Sequence, residues 1–197
     1  MDDTPPRSYA KGVARRKEIL ERTIEVFAEK GAAGTSLRAI GEAIGVSHGA
    51  LLHYFSSREE LLVEVLRENA ARFDDDYQKA GDGLLDGMLS AAERNVTIPG
   101  LVALYSTMMG ASVEPGNETS RRYFAHRFAG LRAELVEQVV AAQTAGAIRA
   151  DVSPESVAAL VIAASDGLQV QWLLDPSVEI TAGLEVLQTM LAVPTAR

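Results

Sequence analysis

The side chains most able to exchange protons or hold a metal near neutral pH are histidines, and the chain has three: His48, His53 and His126. The first two stand five apart in SHGALLHYF. On a helix that spacing does not bring two side chains to one face, and no carboxylate or thiol completes a metal site. What remains for them is hydrogen bonding, to a base edge or a phosphate, or plain solvent exposure. The patterns GxSxG and GxGxxG and the P-loop are all absent, and the many acidic residues fall on polar helix faces. The chain contains no cysteine, which excludes disulfides and thiolate metal sites and fits a reducing, cytoplasmic setting. The sequence therefore predicts no enzyme, no cofactor and no metal centre.

The two histidines belong to TSLRAIGEAIGVSHGALLHYF, residues 35–55, which reads as two short helices around a tight turn. Leu37, Ile40 and Ile44 form an apolar stripe on the first. Thr35 or Ser36 can cap it by accepting a backbone N–H of the first turn. Gly45 ends it, because glycine adopts the left-handed C′ conformation without a steric penalty. Ser47 caps the second helix, whose Leu51 and Phe55 point inward while His48, Gly49, Ala50, His53 and Tyr54 form the other face. Such a pair is either a helix–turn–helix, with its second helix in the major groove of DNA, or an ordinary helical corner.

The flanks bear on that choice. An amphipathic helix with Ile19, Leu20, Ile24 and Phe27 precedes the pair, and Ser57-Arg58-Glu59-Glu60 opens another as a capping box. From Ala14 to about Leu66 the chain resembles the DNA-binding domain of the TetR (tetracycline-repressor-like) family. The matching residues are Ile19, Leu20, Phe27, Gly31, Thr35, Ile40, Ala43, Gly45-Val46-Ser47, Leu51, Tyr54-Phe55 and Arg58-Glu59-Glu60-Leu61. The resemblance implies an all-α fold: a tail over residues 1–12, a three-helix DNA reader over 13–57, and a larger helical ligand-binding and dimerisation domain over 58–197. It implies phosphate contacts from Thr35, Ser47, Tyr54 and Arg58, and base-facing positions at Arg38, His48, Gly49, Ala50 and His53. Many relatives carry tyrosine in place of Leu52 and lysine in place of Arg58. Leu52 can offer only an apolar contact, such as one to a thymine methyl.

The formal net charge of −8 argues against nucleic acid until its distribution is considered. Residues 1–56 carry eight Lys and Arg against seven Asp and Glu, so the other 141 residues carry −9. A DNA site needs only a local positive surface, because charges beyond about 8–10 Å are screened at physiological salt. The basic cluster Lys11, Arg15, Arg16 and Lys17 opposes the dipole of the first helix and reads equally as a phosphate contact or a solvated terminus. The chain has 47% hydrophobic residues and no long uninterrupted apolar run, so no membrane partner is expected.

Beyond residue 82 the pattern predicts helices near 82–96, 99–112, 117–145, 154–174 and 178–193, punctuated by Pro99, Pro115-Gly116, Gly146 and Pro176. The helix after Ser153-Pro154 is apolar around most of its circumference, which means burial on all sides. With Val161 and Leu168 on that helix and Ile180, Leu184, Leu187 and Leu191 on the last, the two are expected to pair with a second copy as a four-helix homodimer interface, or else to be ordinary core helices. Met88, Tyr105, Met108, Phe124, Phe128 and Trp172, with Gln169 as a polar handle, are candidates to line a pocket for a small-molecule effector, or to be core. The expected function is a dimeric repressor that leaves a palindromic DNA operator when an effector binds. The alternative is a small-molecule sensing or interaction module that does not read DNA specifically.

Overall fold

A computed structural model describes the backbone of residues 7–77 and 84–193, and side chains over 11–72 and 84–193. The described residues form helices, with one isolated antiparallel bridge between Ile148 and Ala192. In chain order they are α1 (Arg7–Gly34), α2 (Leu37–Ile44), α3 (His48–Tyr54), α4 (Arg58–Tyr77), α5 (Asp86–Thr97), α6 (Leu101–Ala111), α7 (Glu118–Thr144), α8 (Pro154–Leu174) and α9 (Ile180–Leu191).

α1 begins at Arg7, so half of the expected N-terminal tail is helix; residues 1–6 lie outside the described residues. Its regular course is interrupted at Gly31, whose φ of 63° and ψ of −173° no β-carbon-bearing residue adopts without strain. The chain divides into two units whose segments alternate along the sequence. The first unit runs to Ala71 and takes in Pro99–Ser120; the second takes Arg72–Ile98 and the chain from Arg121 onward.

In the first unit, Ile19, Leu20, Ile24, Phe27, Ile40, Leu51, Phe55, Leu61, Leu62, Val65 and Leu66 are buried. α6 enters beside α1 at Gly100, where φ is 80° and a β-carbon would stand 2.8 Å from that of Ala28. The Glu59 carboxylate accepts the Ser120 N–H at 2.8 Å, which neutralises an orphan donor in the first turn of α7.

In the second unit, one cluster joins Leu85, Leu135, Val139, Ile148, Val157, Ala158, Val161, Ile162, Leu187 and Leu191. A smaller one joins Ala92, Ile180 and Leu184, with Leu168 and Trp172 packed against it. α8 starts as its sequence predicts: Ser153 accepts the Ser156 N–H, and Pro154 occupies the first turn. α8 has the length and apolarity of a membrane span, with a mean hydropathy of 1.5, yet one of its faces is part of these cores.

That orientation corrects the expected dimer residues. Val161, Ile180, Leu184, Leu187 and Leu191 are buried within the protomer, and Leu168 packs partly buried over Gly183. The exposed apolar side chains of the pair are instead Leu160, Val170, Leu173 and Leu174 on α8, with Val186 and Met190 on α9.

Candidate nucleic-acid interface

Local hydrogen bonds set the α2–α3 pair. Ser36 caps α2 by accepting the Ala39 N–H at 3.1 Å, and Ser47 caps α3 by accepting the Ala50 N–H at 3.1 Å. Gly45 takes the left-handed conformation between them, with φ 71°, and the Val46 N–H returns to the Gly41 carbonyl at 2.8 Å. The turn can be this tight only because position 41 has no side chain: a β-carbon there would lie 2.5 Å from the Val46 carbonyl oxygen. Leu51, fully buried, and Phe55 hold α3 down.

With that face inward, the opposite face of α3 is open. His48, Gly49, Leu52 and His53 are exposed, and Ala50 is half-buried. Tyr54 is half-buried in an edge-to-face contact with His53, ring centroids 5.5 Å apart. Arg38, Gly41, Glu42, Gly45, Val46, Ser47 and His48 line an open groove of about 520 Å³ across the start of α3. Arg38 and Glu42, both highly exposed, form an ion pair in it, Nε to Oε1, at 2.9 Å.

Seven of the nine expected DNA-contacting residues lie on or border this open face. Two do not serve as expected. Thr35 is fully buried, and its hydroxyl donates to the Gly31 carbonyl at 2.5 Å, so no phosphate reaches it. Arg58 turns inward, donating from Nε to the Thr35 carbonyl at 2.5 Å and from Nη2 to the Ala32 carbonyl at 2.8 Å. Partial burial lowers the affinity of its guanidinium for the proton. Its fork satisfies two carbonyls, one in the last turn of α1 and one in the α1–α2 connection, which a lysine ammonium cannot match as a planar pair. Ser47 is on the face, but its oxygen is engaged in the cap.

The basic cluster of α1 also divides. Arg16 lies over the Phe55 ring, 5.2 Å from its centroid, and pairs with Glu64 of α4. Arg15 pairs with Glu18 along α1 at 2.5 Å, while Lys11 and Lys17 are exposed. The capping box is offset by one residue: Ser57 accepts the Glu60 N–H at 3.0 Å, but the Glu60 carboxylate reaches back to the N–H of Ser56 at 2.6 Å. Glu42 was not singled out in the sequence; its position four residues after Arg38 on a short capped helix was the available signal.

The family model described as bacterial regulatory proteins, tetR family, matches residues 19–65, and that of the BetI-type transcriptional repressor C-terminal domain matches 107–193. The chain belongs to the TetR family of transcriptional regulators. Among curated relatives, the HTH-type transcriptional repressor AcnR of Corynebacterium efficiens is 40% identical over 85 residues, 43% of this chain and 45% of that protein. KstR2 of Rhodococcus jostii is 35% identical over 91 residues, 46% of this chain and 41% of that one. The matches thus span less than half the length of these relatives. Among solved structures, GusR of Salmonella enterica is similar over 97% of both chains, at 26% identity and a TM-score of 0.72. A TetR-family regulator from a Rhodococcus species shares the fold at a TM-score of 0.75 and 22% identity, over 90% of this chain and 98% of that one.

The candidate pocket residues fall in both units. Tyr105 and Met108 belong to the first unit, Met108 buried. Met88, Phe124, Phe128, Gln169 and Trp172 belong to the second. Phe124 and Phe128 are neighbours, ring centroids 6.1 Å apart, and Met88 packs on both core clusters. Gln169 is buried, its amide donating to the Ser165 carbonyl at 3.2 Å.

Proposed function

We propose that this protein is a dimeric, cytoplasmic one-component transcriptional repressor that reads a near-palindromic operator and leaves it when a small molecule binds. The observation that carries the reading is the open face of α3. A short helix pinned by Leu51 and Phe55 presents His48, Gly49, Leu52 and His53 outward, beside Arg38. Gly49 and Ala50 let the backbone approach the DNA. His48 and His53 offer ring donors and acceptors to base edges, Arg38 offers a fork that suits guanine, and Leu52 an apolar surface that suits a thymine methyl. Tyr54 remains the candidate phosphate donor. Thr35 and Arg58 instead hold the reader together.

Two copies meet through the exposed apolar face of α8 and α9, with Leu160, Val170, Leu174, Val186 and Met190 at its centre. A two-fold axis makes such a face self-complementary. The two α3 helices would then address half-sites about 34–36 Å apart. Support for an effector comes from structures that share this fold. SmeT was solved with triclosan and a regulator from Saccharomonospora viridis with choline, at TM-scores of 0.74 and 0.67. An effector acts here by binding the non-operator conformation better than the operator-binding one, and its leverage is limited to that difference in affinity.

The test is selection of bound duplexes from a random DNA pool with the purified full-length protein near physiological salt. Enrichment of one palindrome with two half-sites is expected. A folded dimer that enriches nothing, with or without candidate effectors, would favour a sensing module that does not read DNA.

A further inference from the structure

Arg38 and Glu42 stand at the wrong ends of α2 for its dipole. The cation is in the first turn and the anion in the last, the reverse of the arrangement that stabilises a helix. Both side chains are largely exposed, Arg38 at 83% and Glu42 at 66%, so their attraction is screened by water and adds little to stability. A carboxylate on a DNA-facing surface also repels phosphates. The pair therefore works against α2 and against non-specific DNA affinity, and neither effect explains it.

Its geometry points elsewhere. Glu42 Oε1 accepts from Nε of Arg38 at 2.9 Å, which favours one rotation of a long, exposed side chain over the others. With Nε engaged, the donors left for a partner are Nη1 and Nη2, at the far end of the plane. Both residues line the same groove as His48, the first residue of α3. Two parallel N–H donors from a planar guanidinium match O6 and N7 of guanine in the major groove.

We propose that Glu42 is a positioning residue for base reading: it orients the Arg38 guanidinium end-on to one guanine in each half-site. This inference rests on the DNA-reading function proposed above. The carboxylate has a second effect of opposite sign, since its charge weakens binding to every duplex. The two effects are separable, because orientation acts at one base pair and repulsion acts at all.

The experiment is the random-duplex selection repeated with full-length Arg38→Ala, Glu42→Ala and Glu42→Gln beside the wild type, with affinity for a random duplex measured for each. Arg38→Ala identifies the base pair that Arg38 reads. Glu42→Ala is expected to reduce the guanine preference at that same base pair about tenfold, while binding random DNA more tightly. Glu42→Gln keeps an acceptor for Nε and is expected to retain most of the preference. Tighter binding by Glu42→Ala with an unchanged guanine preference would overturn the proposal and leave only repulsion. So would a change at a base pair other than the one lost in Arg38→Ala, which would make Glu42 a direct reader. If the wild type enriches no sequence, the DNA-reading function fails and this inference fails with it. If the wild type enriches a palindrome but Glu42→Ala keeps its guanine preference, the inference alone fails.

Discussion

The β-carbon that Gly41 lacks would lie 2.5 Å from the Val46 carbonyl oxygen. That oxygen is backbone, fixed by the turn between α2 and α3, and cannot swing aside as a side chain would. Gly41→Ala gains about 1 kcal/mol of helix propensity but forces the turn open, at about 1–3 kcal/mol for overpacking. The variant is expected to melt lower and to lose DNA affinity by more than its stability alone explains, because α3 shifts relative to α2. Thermal unfolding together with DNA titration checks it. An unchanged melting temperature with full DNA binding would contradict the close approach.

Arg58 provides a test of structure against contact. Its side chain donates to the carbonyls of Thr35 and Ala32, and Arg58→Ala removes both bonds in a partly buried place, at about 1–3 kcal/mol. For a chain of this size that lowers the melting temperature by about 2–4 °C per kcal/mol. The salt dependence of DNA binding by the folded fraction is expected not to change. A phosphate contact would give the opposite pattern, with unchanged melting and a salt slope reduced by about 1.

These two residues also mark how far the sequence could be read. The reader was legible because its determinants are local: Ser36, Gly45 and Ser47 each act within four residues of themselves. The inward turn of Arg58 was not, because its acceptors lie 23 and 26 residues away, in the last turn of α1 and the connection after it, where the path depends on the break at Gly31. Thr35 differs: its acceptor, the Gly31 carbonyl, is only four residues away, but the break at Gly31 that turns the hydroxyl inward is a backbone conformation the residue types alone do not give. In α8 the difficulty was different. A helix apolar on all sides does not announce which face turns inward, and the neighbours Leu160 and Val161 end up on opposite sides of that boundary, exposed and buried respectively.

The proposed dimer face can be separated from the core by paired substitutions. Leu160 and Leu174 are 53% and 83% exposed in the protomer. Leu160→Glu combined with Leu174→Glu is expected to give a folded monomer in sedimentation at micromolar concentration, with its helical circular dichroism intact. Leu184→Ala, in the smaller core, is expected to cost about 2–5 kcal/mol of protomer stability instead. A persistent dimer in the double variant would place the interface elsewhere.

Acid should act on the start of α4. The Ser56 hydroxyl, and then the Ser56 N–H, donate to the Glu60 carboxylate and hold it below its ordinary pKa of 4.5. A carboxylate depressed in the folded state stabilises the fold above its unfolded pKa, and that contribution is lost as pH falls through the folded value. Glu60→Ala is therefore expected to lower the melting temperature more at neutral pH than in acid, where the carboxyl is protonated in the folded state too. The difference is small because the group is mostly in water. Melting curves of both proteins across that range check it, and a gap that widens in acid would contradict the assigned bonds.

The central claim is that the open face of α3 reads sequence. The most direct measurement is equilibrium binding of the full-length protein to its selected duplex and to a scrambled duplex, from about 50 to 200 mM salt. The account predicts affinity falling steeply with salt for both duplexes, with the selected one bound at least about a thousandfold more tightly at physiological salt. Loss of that preference in His53→Ala, without loss of scrambled-duplex affinity, would tie the reading to α3. Equal affinity of the wild type for the two duplexes would contradict the account.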